Sequence, residues 1–453
     1  MELGTAVASL DPAGPGSAGQ ATSTTKRRHD FGESRVLAKL SVLVYDRLVR
    51  LDSMGAPQPA LAISWEHDGS NARWRFKLRP GVRWQDGEIV TAAEVAAALD
   101  EVAANHPWSA PSEDTLEIDN GSARPDFPME LATAPEAVVA RQTAGAAGPP
   151  AGTGPFRVAE WDAGRSAVLV ANEDYWGGRP YLDSIRVEMG ASSRDRLNDL
   201  ELDKADLVEL DPPEARRAQQ EARKVWVSAP DELVALAFNP SSPAARDRRI
   251  RQAVARSIDR SAIQRVLLQN YGEATGSLLP EWLSGFAFLF PAARDLEGAL
   301  QLGSELGALP SLKLGYDASD TLARQVAERV AVNGRDAGIR FDVAPVPSGG
   351  SPWNGLAFDA VVERARIDGP TLRLGWRQCA EAFGFPPSAL PPDATGDLEQ
   401  DVYASEARLL DDFTLIPLVD APELVGLGLR VRNWSAGRWS DWRLDDVWLA
   451  AKP

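Results

Sequence analysis

The run from Gln142 to Pro155, Gln-Thr-Ala-Gly-Ala-Ala-Gly-Pro-Pro-Ala-Gly-Thr-Gly-Pro, constrains this chain more than any other stretch. Its glycines are conformationally loose and its prolines lack a backbone donor, so no regular element forms there. The chain is thereby divided, and a domain crossing is expected at this point. With 453 residues in all, two or three domains are the natural outcome.

The composition, 44% hydrophobic and 25% charged, suffices for a packed core without metals or disulfides. A formal net charge of −17 works against binding nucleic-acid phosphates or anionic lipid headgroups, so no nucleic-acid partner is expected. The single cysteine, Cys379, allows neither an intrachain disulfide nor a cysteine-based metal cluster. No run approaches the roughly 20 apolar residues that cross a bilayer, so no stable membrane insertion is expected. The opening Met-Glu-Leu-Gly-Thr lacks the basic and apolar regions of a secretory signal peptide.

Residues 11–30, rich in Gly, Pro, Ala, Ser and Thr, read as a loop or arm. Apolar residues at helical spacing predict a helix from Val36 to Val49, ending near Leu51-Asp52. Trp74 to Arg79 alternates apolar and basic side chains, which predicts a half-buried strand stopped by Pro80-Gly81. Thr91 and Glu94 have capping-box spacing, opening a helix from about Ala92 to Val102. Further strands are expected at Phe156–Glu160, Ala167–Ala171, Ser184–Met189 and Leu233–Asn239, and an amphipathic helix at Arg248–Leu268. The later chain alternates strand Leu312–Tyr316, helix Thr321–Asp336, strands Ile339–Pro345 and Phe358–Glu363, helix Asp397–Asp411 and strand Leu415–Val419. Such alternation predicts an α/β fold.

Several ordered blocks resemble the ABC-transporter solute-binding proteins that include dipeptide, oligopeptide and nickel receptors. The most specific are Val-Tyr-Asp-Arg-Leu-Val-Arg-Leu-Asp (44–52), Gln-Pro-Ala-Leu-Ala-Ile-Ser-Trp-Glu (58–66), Trp-Arg-Phe-Lys-Leu-Arg-Pro-Gly-Val-Arg-Trp-Gln-Asp-Gly-Glu (74–88) and Thr-Ala-Ala-Glu-Val (91–95). Gly152-Thr153-Gly154-Pro155-Phe156 with Asn172-Glu173-Asp174-Tyr175-Trp176-Gly177-Gly178 is similar to a second block. Ala237-Phe238-Asn239 with Arg248–Arg260 is similar to a third. Leu10-Asp11-Pro12 and Ile416-Pro417-Leu418 match shorter landmarks.

The resemblance implies a two-lobed, periplasmic-binding-protein-like fold of the class II type with an extra inserted small domain. Lobe I would hold residues 1–40, 152–235 and 431–453, the insertion 41–151, and lobe II 236–430. It also implies a monomeric periplasmic or extracellular receptor that captures a peptide or related small solute between its lobes. By hinge closure the receptor would deliver this ligand to ABC permease subunits. A ligand-sensing module not coupled to transport is the alternative, and a hydrolase on the same scaffold a third class.

In peptide-binding relatives an aspartate in a Trp-x-x-Asp-type segment pairs with the peptide's α-amino group. The matching region, Arg364-Ala-Arg-Ile-Asp-Gly-Pro370, lacks the Trp and a second Asp. Asp368 is the candidate ammonium partner, against a turn-forming role before Gly-Pro. Arg364 and Arg366 share a strand face and could grip a carboxylate, or be solvated. Asp420 follows the Ile-Pro-Leu landmark, Trp376 could stack on a ligand, and Glu33 is the weakest candidate. His29, His67 and His106 are scattered without metal-ligand spacing, so neither a metal nor a cofactor is expected. There is no Gly-x-Ser-x-Gly elbow, P-loop or dinucleotide fingerprint, and no enzyme activity is expected.

Overall fold

The computed structural model describes residues 1–10, 31–100, 107–134, 137–141, 149–307, 310–346, 357–385, 397–436 and 442–451. The expected arm at 11–30, the end of the helix expected at Val102 and residues 142–148 of the linker lie outside them.

One 11-stranded sheet runs through the molecule. Its order begins with the antiparallel strands Phe156–Asp162, Ser166–Ala171 and Ser184–Met189. Glu2–Leu3 inserts next, parallel to its neighbours on both sides, followed by Leu207–Glu209. Two long antiparallel strands, Leu415–Leu427 and Lys224–Phe238, carry the sheet across the centre. Ala360–Arg366, Leu312–Asp317 and Phe341–Val346 extend it, and the short strand Glu273–Ala274 pairs with Leu415–Leu427 beside this path to make the eleventh. The fold is α/β, as expected, with separate apolar cores on the two sides of the crossing strands.

A separate four-stranded antiparallel sheet contains Arg73–Leu78, whose burial alternates residue by residue as the sequence predicts. Helices Ala92–Asp100 and Phe127–Thr133 contribute to its core, where Trp74, Phe76, Trp108 and Phe127 meet. Thr91 and Glu94 form the expected reciprocal cap.

Two predicted helices differ from expectation. Helix α1 spans Phe31–Val44 and gives way to short strands Asp46–Arg47 and Val49–Leu51. Leu48 and Val49 continue the apolar pattern because they enter the small-domain core, whereas Leu40 and Leu43 pack in another. The Arg248–Leu268 helix is also interrupted. Arg248–Ser257 stops before Asp259, whose carboxylate caps a new turn by accepting from the Ala262 amide at 2.8 Å.

The blocks behind the family resemblance converge at the end of α1. The Asp46 carboxylate accepts from Trp176 Nε1 at 2.7 Å, Thr153 Oγ1 at 3.0 Å and Tyr175 Oη at 3.3 Å. Gln85 Nε2 donates to the carbonyls of Val44 at 2.9 Å and Phe156 at 2.7 Å, and Gln85 Oε1 accepts from the Gly152 amide at 3.2 Å. Gly152 is required by proximity, since a Cβ there would stand 2.0 Å from the Val44 carbonyl oxygen. Gly152→Ala is therefore expected to destabilise the protein by on the order of 3 kcal/mol. Gly69→Ala, where an added Cβ meets nothing within 4 Å, should be near neutral in the same thermal-unfolding comparison.

Candidate functional site

The two crossing strands bring carboxylates into the interior. All of Leu415–Leu427 is buried, including Asp420 and Glu423. Lys224–Phe238 carries Asp231 and Glu232, which are 0% and 1% exposed. Carboxylates held out of water require cations and hydrogen bonds. Helix α1 supplies two of the cations at i and i+4, Arg35 and Lys39, which therefore share a face.

Lys39 is fully buried, contacts Glu209 and Glu423, and lies 4.4 Å from the Trp442 ring centre. Arg35 reaches Glu232 at 3.1 Å, Glu423 at 3.4 Å and Glu209 at 3.7 Å. Burial pushes the Glu209 carboxyl up, but Lys39 and Arg35 outweigh it and hold it well below its ordinary range. Glu232 behaves alike: burial raises it, while Arg35, Arg364 and Arg366 bring it below normal.

Arg364 and Arg366 occupy alternate positions of Ala360–Arg366 and share a face, as the sequence predicts. Arg364 pairs with Glu232 at 2.5 Å and Asp320 at 2.9 Å, and the Phe31 ring lies 4.4 Å from its guanidinium. Asp320 also caps helix Thr321–Asp336 through the Ala323 amide. Arg366 pairs with Asp231 at 2.7 Å and Asp368 at 3.0 Å, and Asp368 accepts from Gln378 Nε2 at 2.9 Å. The structure thus joins Arg364, Arg366 and Asp368 in one network whose arginines already face the protein's own carboxylates.

Asp420 and Trp376 lie elsewhere. The register sets Asp420 opposite Leu233 and Ala421 opposite Glu232, so Asp420 and Glu232 project from opposite faces of the sheet. Trp376 is 2% exposed on helix Leu372–Phe383, an element missed in the sequence, and packs with Leu233, Cys379 and Ile367. It is a core residue here, not an open stacking surface. Behind the sheet, Glu406 accepts from Ser277 Oγ at 2.7 Å and the Leu278 amide at 2.5 Å. Burial pushes its carboxyl up to about 7 and raises Asp420 well above its usual range. Glu33 is half-buried in the first turn of α1.

The small domain braces the same region. Asp126 accepts from Thr371 Oγ1 at 3.2 Å and lies 3.7 Å from Arg373, and Glu130 pairs with Arg377 at 2.8 Å. Arg35, Lys39, Glu209, Asp231, Glu232 and Glu423 had not been singled out from the sequence. The available signal was a basic pair at helical spacing inside an apolar face, and acids set inside apolar strands. Among the described residues, no group of three His, Cys, Asp or Glu side chains could hold a metal ion.

The sequence profile of the bacterial extracellular solute-binding proteins, family 5 Middle, matches residues 56–372. The chain belongs to this family. It is 27% identical to the nickel-binding periplasmic protein of Escherichia coli K12 over 337 residues, covering 65% of this chain and 64% of the relative. It is 27% identical to the peptide transport periplasmic protein SapA of Salmonella typhimurium over 290 residues, covering 54% and 52%. In both cases the match spans less than two thirds of the relative's length. Among solved structures, NikA from Staphylococcus aureus in complex with Ni(L-His)2 superposes with a TM-score of 0.79 at 18% identity, covering 98% of both chains. DppA from Helicobacter pylori in complex with the peptide STSA gives 0.80 at 16% identity, covering 99% of this chain and 97% of that one. The two-lobed periplasmic-binding-protein-like fold is thereby shown, and the family's members are binding proteins.

Lys39→Met should cost about 3–5 kcal/mol in urea unfolding, because it strands Glu209 and Glu423, and adding Glu423→Gln should recover part of the loss. For Glu406 the folded value exceeds the unfolded one. Its contribution to stability is thus complete below the unfolded carboxylate range of about 4.3 and disappears as pH rises through the folded value. Glu406→Gln keeps the acceptor without the charge. Relative to this variant, the parent protein should lose on the order of 1–3 kcal/mol between about pH 5 and pH 8, read from unfolding curves at the two pH values.

Proposed function

We propose that this protein is the solute-binding receptor of an ABC importer, a monomer working outside the cytoplasm and not an enzyme. It takes a peptide or a related small solute between its lobes and presents it to the membrane permease. Lobe I is assigned residues 1–40, 152–235 and 431–453, the small domain 41–151 and lobe II 236–430. The observation that carries the reading is the polar meeting of the halves. Phe31 of α1 and Glu232 of the crossing strand, both in lobe I, meet Arg364 of lobe II through a cation–π contact and an ion pair. Such a contact can part and re-form, because water and ions solvate the separated groups, whereas a large apolar interface would resist opening.

In this reading the crossing strands are the hinge and the closed form is the one that a bridging solute selects. Asp368, Arg366 and Arg364 form part of the ligand wall and exchange internal partners for ligand groups when the lobes separate. Asp420 and Trp376 support that wall from the opposite face of the sheet. The kinship with receptors named for nickel and for peptides supports a solute-binding role without choosing between those ligands.

Native mass spectrometry of the purified protein, combined with small-angle scattering before and after the bound molecule is stripped by unfolding and refolding, tests this proposal. A co-purified small molecule and a smaller radius of gyration in its presence are expected. A protein with no bound molecule, whose envelope no added peptide or solute changes, would overturn it; chemical turnover of the bound molecule would make the chain an enzyme.

A further inference from the structure

The small domain is attached to its two neighbours by different forces. Toward lobe I the attachment is apolar and buried: Tyr45, Val138 and Ala140 of the small domain enter one core with Phe156 and Leu169, and Trp176 of lobe I packs against the small-domain core. The hydrogen bonds of Asp46 and Gln85 lock the same joint. Small domain and lobe I therefore move as one body. Toward lobe II the contact is made of charge. Asp126 accepts from Thr371 Oγ1 and faces Arg373, and Glu130 pairs with Arg377. Among the described residues, the small-domain core and the core around helix Leu372–Phe383 share no side chain. A contact without a common apolar core parts and re-forms readily, because water solvates the separated charges.

Both acids are set up for this contact within their own domain. Asp126 holds the N-cap position of helix Phe127–Thr133 but makes no capping hydrogen bond there. Its carboxylate turns instead to the Thr371 hydroxyl, which itself caps Leu372–Phe383. Glu130 is held by Arg124, whose guanidinium lies 5.1 Å from the Phe127 ring centre. The Asp126 and Glu130 side chains are only 18% and 9% exposed, and burial raises the Asp126 carboxyl against the pull of Thr371 and Arg373. The pairs are thus largely shielded from water, unlike loose surface bridges. The helix they grip also carries Gln378, which donates to Asp368 and accepts from the Gly369 amide, so the grip reaches the ligand wall. We propose that the small domain is a latch on closure: carried by lobe I, it engages Thr371, Arg373 and Arg377 of lobe II through Asp126 and Glu130 when the lobes shut. The inference rests on the receptor reading above and gives the inserted domain a role in retaining the solute. By stabilising the closed state, the latch tightens the hold on any enclosed molecule by the same factor.

The test is the distance between spin labels placed on the full chain at Ser64→Cys in the small domain and Ser304→Cys in lobe II, both exposed positions. The native Cys379 is fully buried and stays unlabelled. Distances are measured before and after the co-purified molecule is stripped by unfolding and refolding. The set comprises the parent protein, Glu130→Gln, Arg377→Gln, the two combined, and Asp119→Asn, whose ion pair with Arg73 stays within the small domain. Glu130→Gln and Arg377→Gln should each lower the ratio of closed to open molecules by about three- to tenfold, and the combined variant little further. Asp119→Asn should leave the ratio unchanged. Folded latch variants with the parent's distances, or an equal shift with Asp119→Asn, overturn the latch; lengthening of the parent's distance on stripping then leaves the receptor reading standing. A distance that neither stripping nor any variant changes overturns both. If the latch variants do not fold, hydrogen exchange of the parent protein decides. Amides of Thr371–Gln378 should exchange faster once the lobes open, and unchanged exchange there during opening overturns the latch.

Discussion

Lys39 is the residue on which the centre of this molecule depends. The sheet can pass unbroken between the two halves only if its crossing strands are buried, and those strands carry Asp231, Glu232 and Glu423 into the interior. Ionised carboxylates there would cost several kcal/mol each if unpaired. α1 resolves the conflict from outside the sheet: Lys39 is enclosed between Glu209 and Glu423, and Arg35, one turn earlier, spans Glu209, Glu423 and Glu232. The helix is thereby fixed against the strands by charge, and its first turn, with Phe31 and Glu33, is carried to the meeting of the lobes.

The opposite end of α1 is fixed by hydrogen bonds of a different kind. Asp46, Gln85, Gly152, Thr153, Tyr175 and Trp176 come from four separated stretches of sequence and close on one another at the end of α1. This explains why the family-like blocks name a fold and not a ligand. They build the joint that holds the small domain, while the buried charges of the crossing strands come from segments with little motif character. The small domain also reaches helix Leu372–Phe383 and its cap, through Asp126 to Thr371 and Glu130 to Arg377.

Regular alternation made Arg73–Leu78, Leu312–Asp317 and Thr321–Asp336 legible, because each element buries one consistent face. The crossing strands were legible only in part. Leu233–Asn239 and Leu415–Val419 were read as short strands, because acids such as Asp231, Glu232, Asp420 and Glu423 look like strand ends until distant cations are known. Helix Leu372–Phe383 escaped although Thr371 caps it by accepting from the Leu374 amide; the preceding Gly-Pro suggested continued loop. Arg364 and Arg366 were identifiable from their two-residue spacing, but their partners at Asp320, Asp231 and Glu232 are set by strand pairing that local sequence does not encode.

The sheet also separates two ways of tolerating buried acid. On the face of α1, cations are present and Glu209 and Glu232 stay ionised, held below their ordinary range. On the other face Glu406 and Asp420 have no ion-paired cation among the described residues, and burial drives both toward the neutral form. On the α1 side Asp231, with Arg366 as its one ion-paired cation among the described residues and burial against it, stands between the two regimes. Burial pushes its carboxyl up to about 7 against the pull of Arg366, so its charge is the one in this network most easily changed near neutral pH.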